Sequence, residues 1–219
     1  MSSMRLYDYT ASGNCLKIRL LLGLLARPYE RVPIDIFAGD TLGDAFARLN
    51  PVRETPVLEI SSGQVITQSA AILWYLAEGT AYLPAERLER AQVVQWLSFE
   101  QERVMGTLGG VRFRVLTGRA TRDAPAIAAR LAAGRAALGV LDRHIAGRSF
   151  VVADAPSIAD LALYPYISVA GDAGVDLAEW PEVTRWLDGL RALPGFVDDL
   201  APYPPNTRPG GGRSIYDPS

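Results

Sequence analysis

The stretch Asn50-Pro51-Val52-Arg53-Glu54-Thr55-Pro56-Val57-Leu58 sets a proline directly before an apolar run, and its reading decides how the first third of the chain folds. A proline with a trans bond at this place would simply start an edge strand, where no ladder donor is needed. A cis Thr55-Pro56 bond would instead turn the backbone groups of Thr55 outward, free to pair with an extended peptide as a neighbouring strand would. Val57 to Ile60, the turn Ser61-Ser62-Gly63 and Gln64 to Thr67 then read as a hairpin leading into a helix over Ser69 to Ala77.

Upstream, short strand-like and helical runs alternate. Arg5 to Tyr9 reads as a strand, on which Tyr7 and Tyr9 share a face by the period of two. Cys15 to Leu25 is apolar on most sides, with Lys17 and Arg19 its only charges, and reads as a helix buried between a sheet and a partner domain. Tyr29 to Ile34 is a second strand, and its Pro33 predicts a sheet edge. Thr41 to Leu49 fits a short amphipathic helix. The order βαβαββα predicts an α/β unit with a partly parallel sheet.

Beyond Glu78 strand signals nearly vanish. Gly79-Thr80-Ala81-Tyr82-Leu83-Pro84 carries the turn residues of a linker, so residues 1–79 form one expected domain and 86–202 an all-α second one. Its expected helices are Leu88 to Met105, Pro125 to Ile145 and Trp180 to Leu193, with a capping-box variant at Ser157 and Asp160 starting another. Trp74, Trp96 and Trp186 read as core or domain-interface aromatics, His144 as a surface or helix-end residue, and Arg112 and Arg114 as a solvated face. Residues 203–219 are rich in proline and glycine and read as an irregular tail, packed on the surface or partly disordered.

Composition narrows the function. The 219 residues include 22 Lys and Arg, 24 Asp and Glu and a formal net charge of -2, a balance that argues against nucleic acid as a partner. The longest apolar run is too short to span a bilayer and no leader pattern precedes it, which reads as cytoplasmic with no membrane partner. One cysteine and one histidine argue against an internal disulfide, a metal site or His-based catalysis. The available chemistry is hydroxyls, one thiol, backbone groups or a bound cofactor.

Ser12-Gly13-Asn14-Cys15 stands between the first strand and the first helix, where unpaired N–H groups and the positive end of the helix dipole favour an anion. Gln68 and Ser69 occupy a second helix start. As isolated features, both are also what ordinary caps look like.

Taken together with Asn50 to Leu58, these segments resemble the glutathione transferase family, over about Met4 to Pro202. The resemblance implies a thioredoxin-like N-terminal domain, a helical domain for the second substrate, a homodimer, and glutathione as co-substrate with no metal. By the same resemblance Thr55 ahead of a cis Pro56 pairs with the cysteinyl backbone of glutathione, Gln68 and Ser69 hold its γ-glutamyl end, and Arg53, next to Glu54, serves the glycyl carboxylate. The family commonly has an acidic residue where this chain has Gln68, which implies weaker recognition of the γ-glutamyl amine or a carboxylate elsewhere. Three residues compete for the thiol. Ser12 matches the serine-type classes, Cys15 falls where the bacterial cysteine-type class has its cysteine, and Asn14 with backbone groups or a tyrosine remains.

The two leading options imply different reactions. A serine hydroxyl that hydrogen-bonds the thiolate favours conjugation to a small hydrophobic electrophile, whereas a cysteine favours exchange with a disulfide. A disulfide reductase or peroxidase and a non-catalytic binding module are the rival functions. Phe99, Arg103, Met105, Phe113, Tyr164 and Tyr166 are candidates for lining the cleft between domains.

Overall fold

The computed structural model describes residues 4–217. Strand β1 (Arg5–Asp8) lies inside a four-stranded sheet of order β2-β1-β3-β4. It pairs in parallel with β2 (Glu30–Pro33) and antiparallel with β3 (Val57–Glu59), which pairs antiparallel with β4 (Val65–Thr67). Pro33 therefore sits on an edge strand, where its missing N–H costs no ladder bond. The Thr55-Pro56 bond is cis.

Helix α1 (Gly13–Leu24) follows β1, and its residues from Cys15 to Leu22 are all buried. Its two charges are neutralised inside the protein. Arg19 reaches Asp8 at 2.6 Å and Asp199 at 2.7 Å, and Lys17 reaches Glu100 at 2.8 Å. Helices α2 (Asp44–Leu49) and α3 (Ser69–Ala77) complete the βαβαββα order. Helix α2 is shorter than its pattern suggests, because residues 41–43 form a turn whose three carbonyls accept from the Arg53 guanidinium.

The C-terminal half is helical. Helix α4 (Arg87–Phe99) continues through a π-helical segment, Glu100–Gly109, into α5 (Gly110–Leu116), so the rod runs well past Met105. Gly106, Gly109 and Gly110 hide this continuation, since glycine weakens a helix by about 1 kcal/mol relative to alanine. Packing explains Gly109: a Cβ there would stand 2.8 Å from the Tyr166 ring, and one on Gly13 would stand 2.7 Å from it. Tyr166 is thus clamped between α1 and the rod. Helices α6 (Pro125–Ile145) and α7 (Ile158–Ser168) pack on the rod, and α8 (Pro181–Arg191) packs on α6.

Helix α7 begins at Ser157, where the capping box forms as the spacing predicts. Asp160 is wholly buried and accepts from Val151 N, Ser157 N and Trp186 Nε1, each at 2.9 Å, and from Ser157 Oγ at 3.1 Å. Trp96 and Trp186 are core residues and Trp74 packs against the same core. His144 is tied down rather than free at the surface, with Nε2 2.8 Å from the Val151 carbonyl.

Two readings need correction. Arg112 is not on a solvated face: it is 3% exposed, bonded to Asp172 at 2.9 Å and to the Ala11 carbonyl at 3.2 Å. Position alone hid this, because its counter-ion lies 60 residues away. Tyr7 and Tyr9 also part company. Tyr7 packs with Phe46 and Val57, whereas Tyr9, just beyond the end of β1, packs with Cys15 and Phe37.

The tail folds back on the molecule. Residue Arg213 bridges Ala38, Asn206 Nδ2 donates to Asp35 at 2.7 Å, and Asp217 pairs with Arg119 at 2.6 Å. Among the described residues no helix is long and apolar enough to cross a membrane.

Candidate active site

A cleft of about 300 Å³ opens where the N-terminal sheet unit meets the helical half. From the sheet side it is lined by Tyr9, Ser12, Asn14, Ile36, and the run Arg53, Glu54, Thr55, with Gln68. From the helical side come Gln101, Met105, Gly109, Gly110, Phe113, Arg114 and Tyr166, and from the tail Tyr203, Ile215 and Tyr216. One wall is polar and the other largely apolar.

Ser12 caps α1, with its Oγ accepting from Cys15 N at 3.3 Å. A hydroxyl has one donor beside its lone pairs, so the Ser12 O–H, which lies against the Cys15 sulfur, can turn to a stronger acceptor such as an anion in the cleft. Asn14 is held from below. Its Oδ1 accepts from Lys17 Nζ at 2.8 Å and lies 3.4 Å from Ser69 Oγ. An ammonium can only donate, so the atom beside Lys17 must be the amide oxygen, and the Asn14 NH₂ is left without a partner among the described residues. Lys17 is in turn fixed by Glu100, whose Oε2 also accepts from Gln101 of the cleft wall at 2.8 Å. Burial lowers the Lys17 ammonium and Glu100 opposes that shift. Ser12 and Asn14 thus both line the cleft at the positive end of a twelve-residue helix.

Cys15 is placed otherwise. It is 0% exposed, outside the cleft lining, and its Sγ accepts from Tyr9 N at 3.4 Å. Burial above all, with Asp8 adding to it, pushes its thiol up to about 12. A thiol so protonated is a small buried hydrophobe rather than a nucleophile. In the native protein Cys15 is expected to resist a thiol alkylating reagent, to react only on unfolding, and to form no glutathione adduct visible by intact mass. Rapid native labelling would show that the site opens.

Thr55 has neither a donor to its carbonyl nor an acceptor for its N–H among the described residues, while the preceding Glu54 carbonyl is taken by Asn50 Nδ2 at 2.7 Å. Pro56 is buried behind it. Gln68 is exposed, at φ +68°, and its side chain caps nothing. Ser69 is buried beneath it and meets Asn14 instead of the cleft directly. Arg53 lines the cleft but spends one guanidinium nitrogen on the carbonyls of residues 41–43, so much of its work is structural. Glu54 carries a carboxyl raised by burial. Of the apolar candidates, Met105, Phe113 and Tyr166 line the cleft. Phe99 packs edge-on against Trp96, Arg103 pairs with Glu102 and Tyr164 donates to Asp198.

The tail residues were invisible to periodicity, although Tyr203 and Tyr216 are aromatics in a stretch otherwise poor in apolar residues. Tyr9, one of the two strand tyrosines left open for the thiol, also lines the cleft, its hydroxyl buried with no partner among the described residues and its acidity suppressed by burial. Among the described residues no group of three or more His, Cys, Asp or Glu could hold a metal ion.

A thioredoxin-like sheet unit joined to a helical bundle, with a helix N-terminus and the unpaired Thr55 backbone sharing one cleft, defines the class of glutathione transferases. Sequence comparison agrees: residues 11–78 match the family model of the glutathione S-transferase N-terminal domain, and residues 124–189 that of the C-terminal domain. The chain belongs to the glutathione S-transferase family, and by that membership it is an enzyme of the glutathione-transferase type. It is 35% identical to a maleylacetoacetate isomerase of Rhizobium meliloti, over 80% of this chain and 85% of the relative, and 30% identical to a glutathione S-transferase of Emericella nidulans, over 79% and 82%. Among solved structures it is similar to a glutathione S-transferase from Xanthobacter autotrophicus, with 37% identity, TM-score 0.85 and coverage of 91% and 98%. One from Pseudomonas fluorescens gives 36% identity, TM-score 0.87 and coverage of 91% and 100%.

Proposed function

We propose that this chain binds glutathione along the polar wall of the cleft and activates its thiol at the N-terminus of α1 for attack on a small, mostly apolar electrophile. In this reading residues 1–79 bind the tripeptide, 86–202 and the tail hold the second substrate, and two copies form a dimer. The observation that carries it is the pair of donors, Ser12 O–H and the Asn14 NH₂, in one cleft with the unpaired Thr55 backbone.

The chemistry follows from the donors. A free thiol of pKa about 8.5 is only a few per cent ionised near neutrality, and lowering it by about two units makes the thiolate the major form. Each charge-assisted hydrogen bond to the thiolate contributes about 1.5 to 3 kcal/mol, so one or two suffice for that shift. The apolar wall of Met105, Phe113 and Tyr216 offers the apolar body of the electrophile a surface to pack on. Burial of Cys15 weighs against thiol exchange through the protein's own sulfur. Turnover with an activated aryl halide, a hydroperoxide and a glutathione mixed disulfide tests the reading: aryl halide conjugation is the expected activity, and mixed-disulfide reduction with no conjugation would refute it.

A further inference from the structure

One cation in the cleft has no part in activating the thiol. Arg114 lines the apolar wall beside Phe113, half-buried, and its Nη1 donates only to the Gly110 carbonyl of its own helix at 3.0 Å. Its neighbours on the chain are matched with acids: Arg112 with Asp172 and Arg119 with Asp217. Arg114 has no ion pair among the described residues. Arg130 of α6 stands next to it, with Nη1 donating to the Gly106 carbonyl at 2.7 Å, and it too has no acidic partner there. A nitrogen of each lies within 3.8 Å of the point where a Cβ on Gly110 would stand. Two half-buried guanidinium groups thus share one spot. Burial, and then repulsion from Arg130, lowers Arg114, and no acidic side chain acts on it. Glu54, in the same cleft, forms no ion pair with either among the described residues.

An unmatched cation pair at an apolar wall is unfavourable until an anion joins it, because desolvation and like-charge repulsion act in the same direction. A planar guanidinium matches a carboxylate through two parallel hydrogen bonds. We propose that Arg114, backed by Arg130, is the specificity residue for a carboxylate on the second substrate, so that electrophiles combining an apolar body with a carboxylate are preferred over their neutral counterparts. As a statement about turnover this rests on the transferase reading; as a statement about binding it does not. The reaction is unchanged: the glutathione thiolate attacks the electrophilic carbon of, for example, a chloronitrobenzoate, the carbon–sulfur bond forms, the carbon–chlorine bond breaks, and chloride leaves.

Calorimetric titration of the full chain, saturated with S-methylglutathione, by p-nitrobenzoate and by p-nitrobenzamide separates the two claims. The benzoate is expected to bind about tenfold or more tightly than the amide, as one charge-assisted contact would give. Arg114→Gln should bring the two close to parity, Arg130→Gln should narrow the gap, and Arg114→Lys should keep part of it. A further equivalent of S-methylglutathione bound through the same arginines would equally uphold a carboxylate site and name a peptide as its source. Equal binding of benzoate and amide by the unaltered protein, or a preference that survives Arg114→Gln, would overturn the proposal. Kinetics with a chloronitrobenzoate and its amide complete the test, and failure to conjugate either would count against the transferase reading alone.

Discussion

Replacing Ser12 by alanine is expected to cut conjugation at neutral pH by roughly ten- to a thousandfold, the loss of one charge-assisted hydrogen bond of about 1.5 to 3 kcal/mol with some disturbed positioning. The direction follows from what the hydroxyl does in the structure. Its lone pair already caps Cys15 N, so its proton is the part left for the ligand. Ser12→Ala also removes that cap, at a cost of about 1 kcal/mol in stability, small against a total of about 5 to 15 kcal/mol. Activity should therefore fall far more than folded protein does. Ser12→Thr, which keeps both acceptor and donor, should restore most of the rate. A Ser12→Ala enzyme with unchanged turnover would shift the role to Asn14, whose amide is the other donor.

The largest stability effect is expected at Asp160. Its two oxygens accept four hydrogen bonds in the core, from the start of α7, from Val151 and from Trp186 on α8. Asp160→Ala would leave two backbone N–H groups and an indole N–H buried and unsatisfied, with a cavity beside them. Each orphaned donor costs about 1 to 3 kcal/mol, so a total of about 3 to 5 kcal/mol is expected once some water enters. For a chain of this size each kcal/mol lowers Tm by about 2 to 4 °C, so thermal unfolding should move down by roughly 6 to 20 °C. Asp160→Asn should still be costly, since its NH₂ cannot accept from both Ser157 groups. A thermal shift of a degree or two would show that α7 does not depend on this carboxylate.

Much of this molecule is legible in its sequence where the determinants are local. Pro33 marks the edge strand, the alternation through β1 to α3 marks the α/β unit, and Ser157 with Asp160 marks a helix start because each rule involves residues within one turn. The site is half legible for the same reason: Ser12, Asn14, Arg53, Glu54, Thr55 and Gln68 all line the cleft. What stayed hidden depends on partners far along the chain. Cys15 and Ser12 are three residues apart, yet α1 turns one inward and leaves the other at the cleft, a choice made by packing against Tyr9 and Phe37. Arg112 and Arg114 look equivalent until Asp172 claims one of them. Gly109 lowers helix propensity in the middle of the rod because Tyr166 needs the space. Tyr203 and Tyr216 reach the cleft through a tail with no periodicity to announce it.

The account turns on whether the protein ionises bound glutathione, and the most direct measurement is the ultraviolet absorbance of the thiolate, titrated against pH in the complex. For the unaltered protein and for Cys15→Ala the bound thiol should titrate about two units below free glutathione, and in Ser12→Ala it should return most of the way to the free value. A bound thiol that titrates like the free tripeptide, or a shift that vanishes in Cys15→Ala and persists in Ser12→Ala, would contradict it.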